Sequence, residues 1–323
     1  MRRIEPRALA IILLLCVFVP GGCSSQTEQY GEASGGNITV RVVSTQELGQ
    51  SLMFDDTIQV PPGTSAMDAL KMVAEVETAF GGGFIDAIDG IRSRYTGGGG
   101  EKGDWFICAN GILSNTGALD YTVHGFDTLH CDFHGWSFRT FIPAIIGDFP
   151  EPFLHGYEGE VRPTVIVYEN GFEDLAVEMG SVLYGLGVAD VSISSAGDLE
   201  ESIGQNSNLV IIGTPDCDLI SELNKAWDRL GFFVRFEEGD MAVYSADGEV
   251  GQRYGAGCGV LQATQNPWNP KGIGVCENVA WMVSGTDSAG VESAARVLID
   301  RHDEFKYAFA AVTANGEVMK VPR

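Results

Sequence analysis

The chain has 323 residues, with 20 Lys and Arg against 44 Asp and Glu, for a formal net charge of −24 at pH 7. That excess repels phosphate backbones and anionic headgroups, which argues against nucleic-acid partners and against electrostatic docking on a membrane. A hydrophobic content of 45% supplies ordinary cores, and the length favours two domains.

The first residues read as a targeting segment. Arg2, Arg3 and Arg7 precede an apolar run over residues 8–19, too short to span a bilayer comfortably. Pro20-Gly21-Gly22-Cys23 follows, and small residues directly before a cysteine resemble a bacterial lipoprotein signal with Cys23 as the lipidated first residue. Pro20 stands where an aliphatic residue is usual, and the competing Cys16 follows Leu15 rather than a small residue. The alternative is a plain secretory peptide with an incidental Cys23. The expectation is a signal over 1–22, a polar tether over 23–37 and a lipid-anchored, extracytoplasmic cell-envelope protein. Five cysteines remain after Cys23, namely Cys108, Cys131, Cys217, Cys258 and Cys276. The odd number leaves at least one outside any internal pair. For Cys108 and Cys131, a cross-strand disulfide and two buried thiols stand equal; without a CxxC pattern, structural zinc is not expected.

Ile38, Val40 and Val42 alternate with polar residues as in a half-buried strand, and Leu52 to Val60 continues the signal until Pro61-Pro62-Gly63 stops it. Ser65 with Asp68 makes a capping-box pattern ahead of a helix carrying Met67, Leu70, Val73 and Ala74. Four glycines, 97–100, lead into an aromatic strand, Asp104-Trp105-Phe106-Ile107, then the turn Asn110-Gly111, then a strand from Thr128 to Phe133. Strand, strand, capped helix, further strands is the β-grasp order.

The glycine run, Trp105-Phe106, Asn110-Gly111, the Tyr121 segment and the closing strand resemble the transcobalamin-like C-terminal domain family over residues 38–136. That family is a small β-grasp module. It forms part of the cobalamin-binding surface in animal vitamin B12 carriers and recurs in bacterial envelope lipoproteins. Two positions depart from the pattern: Cys108 stands where an aromatic is frequent, and Gly125-Phe126-Asp127 where a Gly-Asp turn is common. The helical barrel that clamps cobalamin in the animal carriers has no counterpart here. The resemblance implies a corrinoid ligand and no intrinsic cofactor.

Residues 137–160 are rich in Pro and Phe, too apolar for a free linker and too proline-dense for a helix or central strand, so they are expected to pack across both domains. From residue 161 strands alternate with helices, which predicts an α/β domain with a mainly parallel sheet. The strands are Thr164 to Tyr168, Val188 to Ile193, Leu209 to Gly213 and Val279 to Ser284, with helical periodicity at Phe172 to Tyr184 and after Asp216 and Asp287. Glu238-Gly239-Asp240 marks a hairpin, and a last strand falls at Tyr307 to Thr313.

Candidate ligand contacts are Tyr95, Gly98, Gly99, Trp105, Phe106, Asn110, Tyr121, His134 and Trp136. Aromatic faces would cover a flat apolar ligand, glycine backbone N–H groups would approach closely, and Asn110 would bond an amide edge. Phe106, like Phe133, reads first as a core residue of a small sheet. His130, Asp132 and His134 share one strand face; they would serve a metal, or one imidazole would sit axially on a corrinoid cobalt, but a solvent-facing polar stripe is the plainer reading. The loop 255–259 has the wrong spacing for a dinucleotide site, and Thr214, Asp216, Thr286 and Asp287 read first as helix caps. No nucleophile–base motif appears, so an enzyme is not expected. The reading is a lipid-anchored binding protein that captures a corrinoid or similar flat molecule for delivery to an uptake transporter; the alternative is a structural or adhesive envelope protein binding proteins or glycans.

Overall fold

The computed structural model describes residues 36–95, 102–275 and 277–323. The signal and most of the tether, including Cys23, lie outside the described residues, as do Gly98, Gly99 and Cys276. The fold is mixed α and β, with strands in several sheets and few helices.

The chain opens with a hairpin of β1 (Ile38–Gln46) and β2 (Ser51–Val60). Helix α1 (Ala66–Leu70) follows, started by Ser65 as the pattern predicts: its hydroxyl accepts the Asp68 N–H at 3.1 Å and donates to the Asp68 carboxylate at 2.9 Å. The helix is short, yet Met67 and Leu70 bury fully beneath the sheet. A small sheet of β3 (Val76–Ala79), β4 (Phe84–Ile88) and β5 (Ile91–Arg92) comes next, unpredicted because its strands are brief and polar-flanked. Then β6 (Gly103–Ala109), β7 (Ile112–Leu113) and β8 (Thr128–Gly135) complete a five-stranded sheet in the order β2-β1-β8-β6-β7. Asn110 and Gly111, both left-handed, make the β6–β7 turn. The last strand, β8, runs parallel to β1 in the middle of the sheet.

The second sheet has seven strands. It is built from β9 (Thr164–Tyr168), α2 (Glu173–Gly185), β10 (Val191–Ser195), α3 (Glu201–Asn206), β11 (Asn208–Gly213) and α4 (Asp218–Lys225). A separate three-stranded sheet follows, of β12 (Val234–Glu237), β13 (Asp240–Tyr244) and β14 (Val250–Tyr254). The chain then returns through β15 (Gly259–Gln265), β16 (Val279–Gly285), α5 (Ser288–Asp300), β17 (Ala310–Ala314) and β18 (Glu317–Val321). The order is β10-β9-β11-β16-β15-β17-β18. The ladders from β10 to β16 are parallel, and those from β16 to β18 antiparallel, so the sheet is half parallel rather than mainly so. Residues 255–259, the rejected dinucleotide loop, lead straight into the β15 strand. Helices α2 and α5 share a core with Ile166, Val210 and Trp281, whereas α4 and the three-stranded sheet pack with Val165, Ile211 and Met282, the alternate side chains of the same strands.

Residues 36–323 form one compact unit. Segment 137–160 is part of the reason: Phe149 and Phe153 pack on Trp281 at 5.8 and 5.3 Å between ring centroids, while Ile142 and Ile145 join Leu48, Cys108, Phe233 and Phe309. Arg139 is buried, with its guanidinium over Phe138 and Trp227 and two nitrogens donating to the Phe232 carbonyl at 3.1 and 2.7 Å. The other seam is the turn at Tyr307. Gly147 O accepts the Tyr307 N–H at 2.9 Å. A Cβ on Gly49, whose φ is +79°, would lie 1.9 Å from the Tyr307 carbonyl oxygen. Gly49→Ala therefore both strains the backbone and pushes that turn away; it should lower the unfolding free energy by about 2–3 kcal/mol in urea titrations.

Candidate functional site

Strand β8 places His130, Asp132 and His134 on one face, but that face is an interior one: they are 1%, 3% and 5% exposed. This corrects the solvent-stripe reading. The face is covered by the β1–β2 turn, by segment 137–160 and by the region around Tyr307 and Phe309. Burial of such groups requires a partner for each polar atom. Asp132 accepts Leu48 N–H (3.1 Å), Gly49 N–H (3.0 Å) and the Thr45 hydroxyl (2.5 Å), and lies 2.7 Å from His134 Nδ1. Burial pushes the Asp132 carboxyl up, but the His134 bond and charge, with the Thr45 hydrogen bond, pull it below its ordinary value overall.

The proton count on His130 follows. Thr45 has one hydroxyl proton, spent on Asp132, so it accepts from His130 Nε2 at 2.8 Å. The other ring nitrogen, Nδ1, lies 2.9 Å from Asp148 Oδ1. Both nitrogens face acceptors, which describes an imidazolium. Burial alone would lower the His130 pKa; the Asp148 charge and hydrogen bond, with the Asp132 charge, raise it above its ordinary value. No set of three or more His, Cys, Asp or Glu among the described residues is arranged to hold a metal ion.

The predicted aromatic platform comes apart. Trp105 is 7% exposed, its indole N–H donates to the Ile91 carbonyl at 2.9 Å and its ring packs on Phe133. Only one edge borders a groove of about 240 Å³ beside Phe84, Ile107 and Leu113. Asn110 is fully buried, donating to Asp127 (2.9 Å) and the Gly156 carbonyl (2.7 Å) and accepting from Thr128 N–H (2.7 Å), so it holds the turn rather than meeting a ligand. Tyr121 is buried against Tyr157 with its hydroxyl near Asp127, and burial first, then the Asp127 charge, raises its pKa. Phe106 is half-buried and stacks on His134 at 4.3 Å. Only Tyr95 and Trp136 stand together near solvent, 6.0 Å apart, with the Lys102 ammonium 4.9 Å over the Trp136 ring. Cys108 and Cys131 are both free and join different cores, because adjacent strand registers turn them to opposite faces. Burial raises the pKa of both, that of Cys131 to about 12.

A cleft of about 770 Å³ lies beside Lys102. Its walls come from distant segments: Gln46 to Leu48 with Gln50, Arg94, Lys102, Phe133 to Gly135 with Ser137, Ser245 to Asp247, and Pro322-Arg323. His134 forms part of the wall. Three basic residues, Arg94, Lys102 and Arg323, line it together with Glu47 and Asp247. A second crevice of about 520 Å³ opens at the carboxyl ends of β11 and β16, whose connections leave toward opposite faces. The two Gly-Thr loops meet there. Asp287 is a cap, accepting Gly290 N–H at 2.9 Å, whereas Asp216 is exposed and α4 has no side-chain cap.

A domain of unknown function, DUF4430, matches residues 63–135, under a quarter of the chain. No curated protein matches. Among solved structures, haptocorrin in complex with Cbi is similar at 17% identity and a TM-score of 0.26, covering 31% of this chain and 26% of that one. A proposed metal-binding protein from Ruminococcus gnavus ATCC 29149 is similar at 17% identity and a TM-score of 0.23, covering 31% of this chain and 97% of that one. The chain thus spans about a quarter of haptocorrin's length.

Removal of one partner from the buried ion pair tests the charge assignment. His130→Phe leaves Asp148 uncompensated and should cost about 3–5 kcal/mol at pH 6. Because the folded pKa of His130 lies above its unfolded value of about 6.5, the stabilisation is complete below that value and is lost as pH rises through the folded pKa. Urea unfolding of the native chain across pH 6 to 9 should show that fall, and His130→Phe should flatten it.

Proposed function

We propose that this is a lipid-anchored, extracytoplasmic binding protein whose small-molecule ligand sits in the 770 Å³ cleft, not on the face of Trp105. The observation that carries the reading is the cleft itself. It gathers polar amides, three cations and a buried imidazole at the junction of both sheets, and its Lys102 ammonium lies over the Trp136 ring. Within the reading, residues 38–136 are a β-grasp module, supported by the hairpin, the capped helix under the sheet and the last strand running parallel to the first. Residues 161–323 act as an α/β domain that supplies the second wall, and 137–160 joins them. Lipidation at Cys23 tethers the body to the membrane, and an uptake transporter receives the cargo. A corrinoid is the first ligand to test, on the sequence resemblance around Trp105 to Gly111; the polar amides Gln46 and Gln50 suit its amide-rich periphery.

Titration of the full chain with cobinamide and cobalamin, followed by tryptophan fluorescence and equilibrium dialysis, tests this. Binding at micromolar ligand should be weakened at least tenfold by Trp136→Ala, since stacked aromatic contacts contribute on the order of 1 kcal/mol or more. Trp105→Phe, in the core, should leave affinity within about twofold. Absence of binding to either corrinoid removes the corrinoid assignment; equal loss in both variants returns the site to the Trp105 groove. Cys23→Ala should shift the protein from the membrane to the soluble fraction.

A further inference from the structure

We infer that His134 Nε2 is a coordination site for the metal centre of a small chelate bound in the cleft, with the chelate supplying the remaining donors. The inference rests on the small-molecule reading of that cleft.

Four observations support it. His134 is 5% exposed and lines the cleft wall. Its Nδ1 is committed to Asp132, whose carboxylate is itself fixed by two backbone N–H groups and Thr45. In the neutral ring a carboxylate on Nδ1 keeps the proton there and leaves the lone pair on Nε2, the arrangement found behind metal-bound histidines. Nε2 has no protein hydrogen-bond partner among the described residues, and it is not among their sealed, unpartnered polar atoms. Finally, the ring is clamped. Phe106 stacks on one face at 4.3 Å and 13°, and Phe309 meets it edge-on at 5.5 Å. With its faces occupied, the ring is left with its in-plane lone pair for a ligand.

A free ion is not what such a site holds. One imidazole is a single donor, and no cluster of three or more His, Cys, Asp or Glu among the described residues surrounds it. The other positions must arrive filled, which defines a chelate with one exchangeable site. Lys102 and Arg323 on the same wall suit a periphery of carboxylate or amide oxygens. A corrinoid and an anionic aminocarboxylate complex share this chemistry.

The full chain, in detergent, would be titrated with diaquacobinamide and separately with copper(II) nitrilotriacetate. Dialysis reports binding, and visible absorption or electron paramagnetic resonance reports an imidazole nitrogen on the metal. One equivalent of at least one probe should give the imidazole signature. His134→Gln should abolish it, and Asp132→Asn should weaken binding about 10–100-fold. Because either variant disturbs a buried network, a third protein carries His124→Gln, His155→Gln and His302→Gln together. It keeps only His130, sealed in its ion pair, and His134, and must retain the signature. A response to cobinamide alone identifies a corrinoid; a response to the copper complex alone identifies an anionic chelate. Binding without an imidazole signature, or a signature that survives His134→Gln, overturns the inference and leaves the small-molecule reading intact. No binding of either probe by dialysis overturns the inference, and with failed cobalamin binding it removes the corrinoid reading as well.

Discussion

The carboxylate of Asp132 is the constraint on which the rest of the structure depends. It is 3% exposed, and a buried carboxylate persists only with several donors around it. Two of those donors are backbone N–H groups of Leu48 and Gly49. To present them, Glu47, Leu48 and Gly49 take left-handed φ values of 57°, 59° and 79° in succession. For Glu47 and Leu48 this costs about 1–2 kcal/mol each, which the charge-assisted bonds to Asp132 offset. The β1–β2 turn is thus shaped by an anion from β8, and consecutive N–H groups form a small anion-binding concavity.

That turn then sets how the two sheets meet. Gly49 lies against Tyr307, and the Tyr307 hydroxyl donates to Asp55 at 2.7 Å, an Asp already held by both Arg41 nitrogens at 2.8 Å. His130 lies beneath, edge-on to Tyr307 at 6.2 Å and paired with Asp148 of segment 137–160. A charged seam between two apolar layers is a poor source of net stability, because desolvation opposes most of the attraction. Its effect is directional: each group accepts only one geometry of its partner. The sheets are therefore fixed in angle, and the space left at the open end of the seam is the cleft.

Local pattern made much of the first and second sheets legible. Alternation placed β1 and β2, a continuous apolar run placed β9, the Ser65 and Asp68 pair placed α1, and Asn110-Gly111 placed a turn. Local pattern failed where partners are remote. The stripe at His130, Asp132 and His134 has the period of a solvated strand face, and it is covered by the β1–β2 turn, by segment 137–160 and by Tyr307 and Phe309, the last two more than 170 residues away. Trp105 and Asn110 look like ligand groups because turns and binding rims draw on the same residue types; the buried hydrogen bonds to Ile91 and Gly156 decide otherwise. The cleft had no local signal at all. Its walls are six separated segments, and Arg94, Lys102 and Arg323 are isolated basic residues in sequence.

The switch-point crevice and the seam cleft differ in what their polar groups have left to give. In the crevice at the ends of β11 and β16, Asp287 is spent on Gly257 and Gly290 N–H, and Glu237 on Tyr244 and Arg253. Neighbouring Glu169 closes the next strand gap by accepting from Thr214 at 2.7 and 2.9 Å. Its remaining carboxylates, Asp216 and Glu238, belong to water-facing loops, where solvation is already favourable. In the seam cleft the balance is reversed. Asp132 has satisfied its lone pairs inside the protein and in doing so holds His134 with one nitrogen unspent at the wall. A group made rigid, desolvated and incompletely bonded binds a partner with little further ordering, which is the condition under which a single contact carries affinity. The switch-point crevice has the position that α/β folds ordinarily use for ligands; the seam cleft has the unspent chemistry, and chemistry is the better guide to where a ligand is held.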